Sequence, residues 1–162
     1  YENIFGELAP FECNDSVEGS VSLLLLGRSS EFALKIKQRV AVLKRNPGIA
    51  SIALLQIDED EKAMEQIRLS LQKQGLELAP IWAATDESNR LMTTSVERIK
   101  GLEYDACFVV GMDDIGSSAF MYSKNRAYVA LSRPALQLTI LCEEMPNSLQ
   151  KIDRDLLEIV RI

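Results

Sequence analysis

Short, almost purely apolar stretches alternate along this chain with longer ones in which apolar residues recur every three or four positions. The apolar stretches are Val21–Leu26, Ser51–Ile57, Leu76–Trp82, Leu91–Val96, Ala106–Gly111 and Leu138–Cys142. Runs of this length, rich in branched side chains and bounded by Gly or Pro, read as strands buried on both faces. Pro80 interrupts the third and places it toward an edge. Between the first two strands, Phe32, Leu34, Ile36, Val40 and Leu43 alternate with Lys35, Lys37, Gln38 and Arg39, which predicts an amphipathic helix up to about Arg45. Ser29 or Ser30 is its expected N-cap, Glu31 suits its first turn, and Asn46-Pro47-Gly48 stops it. A second helix, capped by Asp58 or Asp60, carries Met64, Ile67 and Leu71, with Leu69 on the flank, and ends at Gly75. Ala83–Arg90 reads as a polar loop. Asn125–Leu131 can form a short helix that Pro134 terminates. A last amphipathic helix is expected from Met145-Pro146-Asn147-Ser148 through Leu149, Ile152, Leu156, Leu157 and Val160.

Strand alternating with helix at this spacing is the signature of a mainly parallel sheet covered on both faces, so the expected fold is a three-layer α/β domain. It should span residues 21–162, with residues 1–20, which show no period, as an arm or linker. The chain begins at Tyr1, so it is expected to be processed or part of something longer.

Composition narrows the chemistry. With 162 residues, 47% hydrophobic and 26% charged, the chain can bury one substantial core. No apolar run approaches the ~20 residues that span a bilayer, and no secretory leader is evident, so a cytoplasmic location and no membrane partner are expected. Three cysteines, Cys13, Cys107 and Cys142, form no CxxC pair, and the last two sit inside apolar runs as small core residues. The chain has no His, which removes His-containing zinc sites, Ser-His triads and a His general base. No metal site is expected in the chain itself. A net charge of −6 argues against a domain that grips nucleic acid by overall charge, while leaving room for a local basic strip.

Candidate chemistry concentrates between Leu91 and Glu143, where polar segments run twice into buried strands. Polar residues at the mouth of a buried parallel strand lie where α/β proteins bind ligands. In Lys100-Gly101-Leu102-Glu103, Gly allows a tight turn and close approach to a ligand. Glu can accept from sugar hydroxyls, and Lys can meet phosphate. The same four residues also read as a surface turn with a solvated ion pair. In Tyr128-Val129-Ala130-Leu131-Ser132-Arg133-Pro134, Arg133 stands at a helix terminus beside a buried strand. There a guanidinium can bind phosphate in a bidentate fashion, or close the helix by bonding its last carbonyls.

Together the two segments carry a more specific signal. LMTTSVERIKGLEYDACFVVGMDD resembles motif V, and NRAYVALSRPALQLTI motif VI, of the superfamily 1 DNA helicases of the UvrD/Rep type. Order, spacing and the following strands agree, and the resemblance covers about Glu18 to Glu143. It implies the second, C-terminal RecA-like (P-loop NTPase-like) domain of an ATP-driven translocase on single-stranded or duplex DNA. In this family two RecA-like domains clamp one nucleotide. By motif position Arg133 would be the arginine finger, a group worth roughly 10³–10⁵ in rate. Glu103 would accept from the ribose, Gly101 would permit close approach and Lys100 would support the loop. Ser95 would face the DNA backbone, with Glu97 nearby. Arg126 and Tyr128 are weaker candidates, better suited to helix surface and packing.

Departures from the pattern bear on activity. Ser95 stands where the family usually has Thr, Glu97 replaces a His, Pro134 replaces an Ala, and the insertion that usually precedes motif V is absent. The chain contains no G-x-x-x-x-G-K-[ST] loop. One Arg cannot replace the amides, Lys and Mg²⁺ ligand which that loop supplies, so the isolated chain is expected not to hydrolyse ATP. ATP with Mg²⁺ would be engaged only together with an N-terminal P-loop domain of the same polypeptide. The alternative is a non-catalytic, helicase-like interaction module that docks a protein partner.

Overall fold

The structure is a computed structural model that describes residues 19–57, 60–80, 91–99, 101–113, 120–150 and 158–161. In chain order the elements are β1 (Ser20–Leu25), α1 (Phe32–Leu43), β2 (Ile52–Gln56), α2 (Glu61–Lys73), β3 (Leu78–Pro80), β4 (Leu91–Ser95), β5 (Tyr104–Val110), α3 (Phe120–Leu131), β6 (Pro134–Cys142) and β7 (Glu158–Arg161). Short 3₁₀ turns cover Ser29–Glu31, Val96–Arg98 and Asn147–Leu149. The strands form one sheet in the order β3-β4-β2-β5-β6-β1-β7, and every pair is parallel. All strands therefore begin at one edge of the sheet, the amino edge, and finish at the opposite, carboxyl edge.

Successive side chains of a strand point to opposite faces, and that period separates two cores. Leu24, Leu54, Ala106, Phe108 and Leu141 lie under Phe32, Ile36, Val40 and Leu43 of α1 and Met64, Ile67 and Leu71 of α2. Leu23, Leu25, Leu55, Cys107, Val109, Ile140 and Cys142 pack on the other face with Ala127, Ala130 and Leu131 of α3. Apolar runs without alternation are what this arrangement demands, since water reaches neither face of the central strands. The three-layer α/β fold with a parallel sheet expected from the sequence is the one observed.

Local signals act largely as read. The Asp60 carboxylate accepts from the backbone of Lys62 (3.1 Å) and Ala63 (3.0 Å), capping α2. Gly75 closes the same helix at φ +80°, a conformation that costs other residues about 1–2 kcal/mol. After α1, Asn46 turns the chain by accepting from the backbone of Gly48 (2.9 Å). Pro80 ends the edge strand β3.

Two expectations fail. Ser29 and Ser30 do not cap α1 with their side chains: they lie in the 3₁₀ turn, and neither Arg28 nor Glu31 supplies a side-chain cap. The final helix does not continue through Val160, which belongs to β7 beside Leu24 of β1. Leu149 sits in a 3₁₀ turn. Ile159 and Val160 alternate between the two cores, a strand period that the isolated apolar residues could not distinguish from a helical one. Asp58, Lys100, the 83–90 loop, Ile152, Leu156, Leu157 and residues 1–18 lie outside the described residues.

Candidate functional site

β5 and β6 are parallel neighbours, so the segments that feed them meet at the amino edge. Gly101, Leu102 and Glu103 lead into β5, and Arg133 leads into β6. The Tyr104 amide donates to the Arg133 carbonyl (3.1 Å), joining the two strand starts through backbone. The Arg133 guanidinium joins them through a side chain. Its Nε donates to the Val129 carbonyl (3.0 Å), one Nη to the Leu102 carbonyl (3.3 Å) and the other to Ser132 Oγ (2.9 Å). Arg133 thus closes the end of α3 and at the same time holds the 101–103 turn. A guanidinium has five N–H donors in a planar fork, so these three bonds leave donors for another acceptor.

Gly101 holds the turn at φ +84°, with nothing within 4 Å of the position a Cβ would take. Space is therefore open beside it, and the need for Gly is conformational. The Leu102 amide donates to Ile99 (3.0 Å), which tightens the turn, yet the Leu102 side chain remains 43% exposed. Glu103 is exposed and makes no side-chain hydrogen bond or ion pair among the described residues. The amino edge therefore presents a carboxylate, an apolar side chain and the outer side of a guanidinium on one surface.

Asp105, just inside β5, was not singled out from the sequence. Its carboxylate accepts from the amides of Ala50 (2.8 Å) and Ser51 (2.8 Å) and from Ser51 Oγ (3.0 Å), and the Asp105 amide donates back to Ser51 Oγ (3.0 Å). These bonds fix the start of β2 against β5. The pair DA after an aromatic carried no distinguishing signal, because its partner lies 54 residues earlier.

Ser95 and Glu97 occupy the opposite edge. Ser95 ends β4 opposite Gln56 of β2 and is half-buried. Glu97 pairs with Arg126 of α3 at 2.7 Å, and Arg126 is buried while Glu97 is exposed. The negative charge that Glu97 introduces is thus matched within the fold, and Arg126 is a buried residue rather than helix surface. From here the chain crosses to the amino edge with Val96 and Ile99 in the α3-side core. The crossover is therefore held twice, at Glu97 by Arg126 of α3 and at Leu102 by Arg133 just beyond the helix. Gly101, Glu103 and Arg133 lie at the strand starts, as polar segments that run into buried strands must. Parallel connections must return to the amino edge, and here that return carries the polar residues.

The carboxyl edge has its own ties. Asp113 Oδ1 accepts from the amides of Glu143 (2.7 Å) and Glu144 (3.3 Å), and Glu143 Oε1 accepts from the Ser29 amide (2.8 Å). Loss of surrounding water pushes the Asp113 carboxyl above its ordinary range, against the pull of those two amides. Burial pushes the Cys107 thiol up to about 12 and raises Cys142 as well. Both are inert core groups, as expected.

No protein-family model and no curated protein matches this chain. Solved structures do. One is the C-terminal domain of a possible DNA helicase from Lactobacillus plantarum WCFS1, with a TM-score of 0.72 at 14% identity over 90% of this chain and 88% of that one. Another is the C-terminal domain of the DEAD-box protein Dbp5, with a TM-score of 0.52 at 13% identity over 91% of this chain and 92% of that one. The seven-stranded parallel sheet with helices on both faces is, in fold, that of helicase C-terminal RecA-like domains.

Proposed function

We propose that this chain is the C-terminal RecA-like domain of an ATP-dependent DNA helicase or translocase of the UvrD/Rep type, completing a nucleotide site whose other wall is a P-loop domain. The observation that carries this reading is the junction of the two motif-like segments: Arg133 bonds the Leu102 carbonyl, with Glu103 unengaged beside it. Residues 31 positions apart in sequence are brought to one surface by two adjacent parallel strands.

In this reading Arg133 presents its remaining N–H donors to the γ-phosphate as charge develops during transfer. Its bonds to Val129 and Leu102 hold the planar fork in place beforehand, so less rotamer freedom is lost when phosphate arrives. Glu103 accepts from ribose hydroxyls, Gly101 keeps the approach open, and Lys100 supports the turn. The chain supplies the donors for a phosphate edge but no P-loop, so the P-loop domain would hold Mg²⁺ and the remaining phosphate oxygens. Ser95 would meet the DNA backbone from the carboxyl edge, with Glu97 positioning the crossover through Arg126 rather than touching DNA.

The test uses the polypeptide carrying both domains and measures DNA-stimulated ATP hydrolysis. Arg133→Ala is expected to lower the rate by roughly 10³–10⁵, with Arg133→Lys giving little rescue because Lys cannot offer a fork. Glu103→Ala should weaken nucleotide binding more than turnover. Unchanged hydrolysis in Arg133→Ala would reject the finger assignment.

A second reading is a non-catalytic interaction module. It draws on the local engagement of Arg133 and Glu97 and on the exposed Leu102. Absence of any ATPase in the two-domain polypeptide, with a protein partner lost on Leu102→Asp, would favour it.

A further inference from the structure

We propose that the outer face of α1 is a docking surface for residues 1–18 of this same chain. Charge is sharply segregated along the sequence. From Phe32 to Arg45 there are five cations, Lys35, Lys37, Arg39, Lys44 and Arg45, and no acid. Residues 1–18 contain five acids, Glu2, Glu7, Glu12, Asp15 and Glu18, and no cation. In a chain of net charge −6, these are two oppositely charged blocks of equal size.

The helix shows where its charge is available. Arg39 pairs with Glu158 at 3.6 Å. Lys35, Lys37 and Arg45 make no ion pair with any described residue; Lys35 and Lys37 flank the outward crest from two sides, and Arg45 follows just beyond the end of the helix. That crest runs through Leu34, Gln38, Ala41 and Val42, which are neighbours at three- and four-residue spacing. Leu34 is 47% exposed and Val42 66%. An aliphatic crest between cationic flanks asks for a partner with apolar anchors and carboxylates. Residues 1–18 supply the anchors as Tyr1, Ile4, Phe5, Leu8 and Phe11. A separate groove of about 320 Å³ lies between the start of α1 and α2, walled by Ala33, Ala63, Ile67, Leu69, Ser70 and Lys73. Leu69 there is 46% exposed. The crest carries no aromatic platform of the kind that stacks bases, which favours a polypeptide over a nucleic acid.

The topology makes the contact reachable. β1 starts at the amino edge, and α1 must return toward that edge to start the parallel β2, bringing Val42 and Arg45 to the side where Gly19 leads into β1. Eighteen extended residues span up to roughly 60 Å, against about 18 Å for a twelve-residue helix. Tethering also gives the segment a high effective concentration at α1, so weak contacts suffice.

The chain from Tyr1 to Ile162 tests this with Cys13 as the handle, because Cys107 and Cys142 are buried. A nitroxide on Cys13 is expected to cause a several-fold loss of α1 amide NMR intensity around Gln38 and Val42, and to spare β3. The loss should reverse on Lys35→Glu with Lys37→Glu and Arg45→Glu. It should reverse separately on Leu34→Ser with Val42→Ser, so one variant still decides if the other disturbs folding. A nitroxide on Ser16→Cys serves as a second label. Undiminished α1 intensity in the labelled wild type would overturn the proposal. So would broadening that appears only between differently labelled copies, or α1 shifts on adding oligo-dT in a chain whose label leaves α1 untouched.

Discussion

Three residues at the amino edge each perform a separable task. Gly101 is required for its backbone angle alone, since its φ of +84° comes with open space around it. Gly101→Ala should therefore cost about 1–2 kcal/mol through backbone strain, visible as a lower urea midpoint with an unchanged slope. Asp105 ties the start of β2 by three accepted hydrogen bonds. Asp105→Ala leaves those donors without their acceptor and should cost about 1–3 kcal/mol, measured in the same denaturation. Arg133 differs from both, because its bonds organise a surface rather than a core. Its identity as a special residue was legible in the sequence from the helix end and Pro134. Its partner, the Leu102 carbonyl, was not, because no spacing rule links two strand starts separated by a whole helix. The role of Asp105 was invisible for the same reason, with donors that come from another strand's start.

At the scale of elements, α3 and the turn that leaves it form the bracket that fixes the crossover between β4 and β5. One end of that crossover is held by the Glu97–Arg126 pair at 2.7 Å and the other by Arg133. Glu97→Gln should cost about 1–3 kcal/mol, because it removes the carboxylate charge paired with the buried Arg126 cation. Replacing both by Gln and Met should recover part of that loss, and a double-mutant cycle in urea measures the coupling. Most elements were legible from period and capping: the alternation of the strands, Asp60 before α2, Gly75 after it, Pro80 at an edge. The region after Cys142 was not. Leu149, Ile159 and Val160 satisfy a helical and an extended spacing equally well, and only the open side of β1 decides for β7.

At the scale of the whole molecule, burial on both faces of the sheet sets how stability responds to alkali. Cys107 keeps its proton up to about 12 in the folded chain, whereas an unfolded thiol ionises near 9.0. Cys142 is shifted in the same direction. Between those limits the unfolded chain loses protons that the folded chain retains, so stability is full below pH 9.0 and declines as pH rises. Each thiol contributes up to ~1.4 kcal/mol per pH unit in that window. Cys107→Ala with Cys142→Ala should flatten the decline even while lowering stability at neutral pH, as urea titrations at pH 8 and pH 10 would show. The strand order has a different consequence, one that concerns synthesis. Among the described strands β1 is made before the rest, but its two neighbours, β6 and β7, come after all the others. At ~5–20 residues per second Leu25 waits on the order of ten seconds for Cys142. During that wait the nascent chain carries the apolar run Leu23–Leu26 without either of its sheet partners, a natural substrate for a ribosome-associated chaperone, and a message truncated before β6 should yield aggregate rather than a smaller domain.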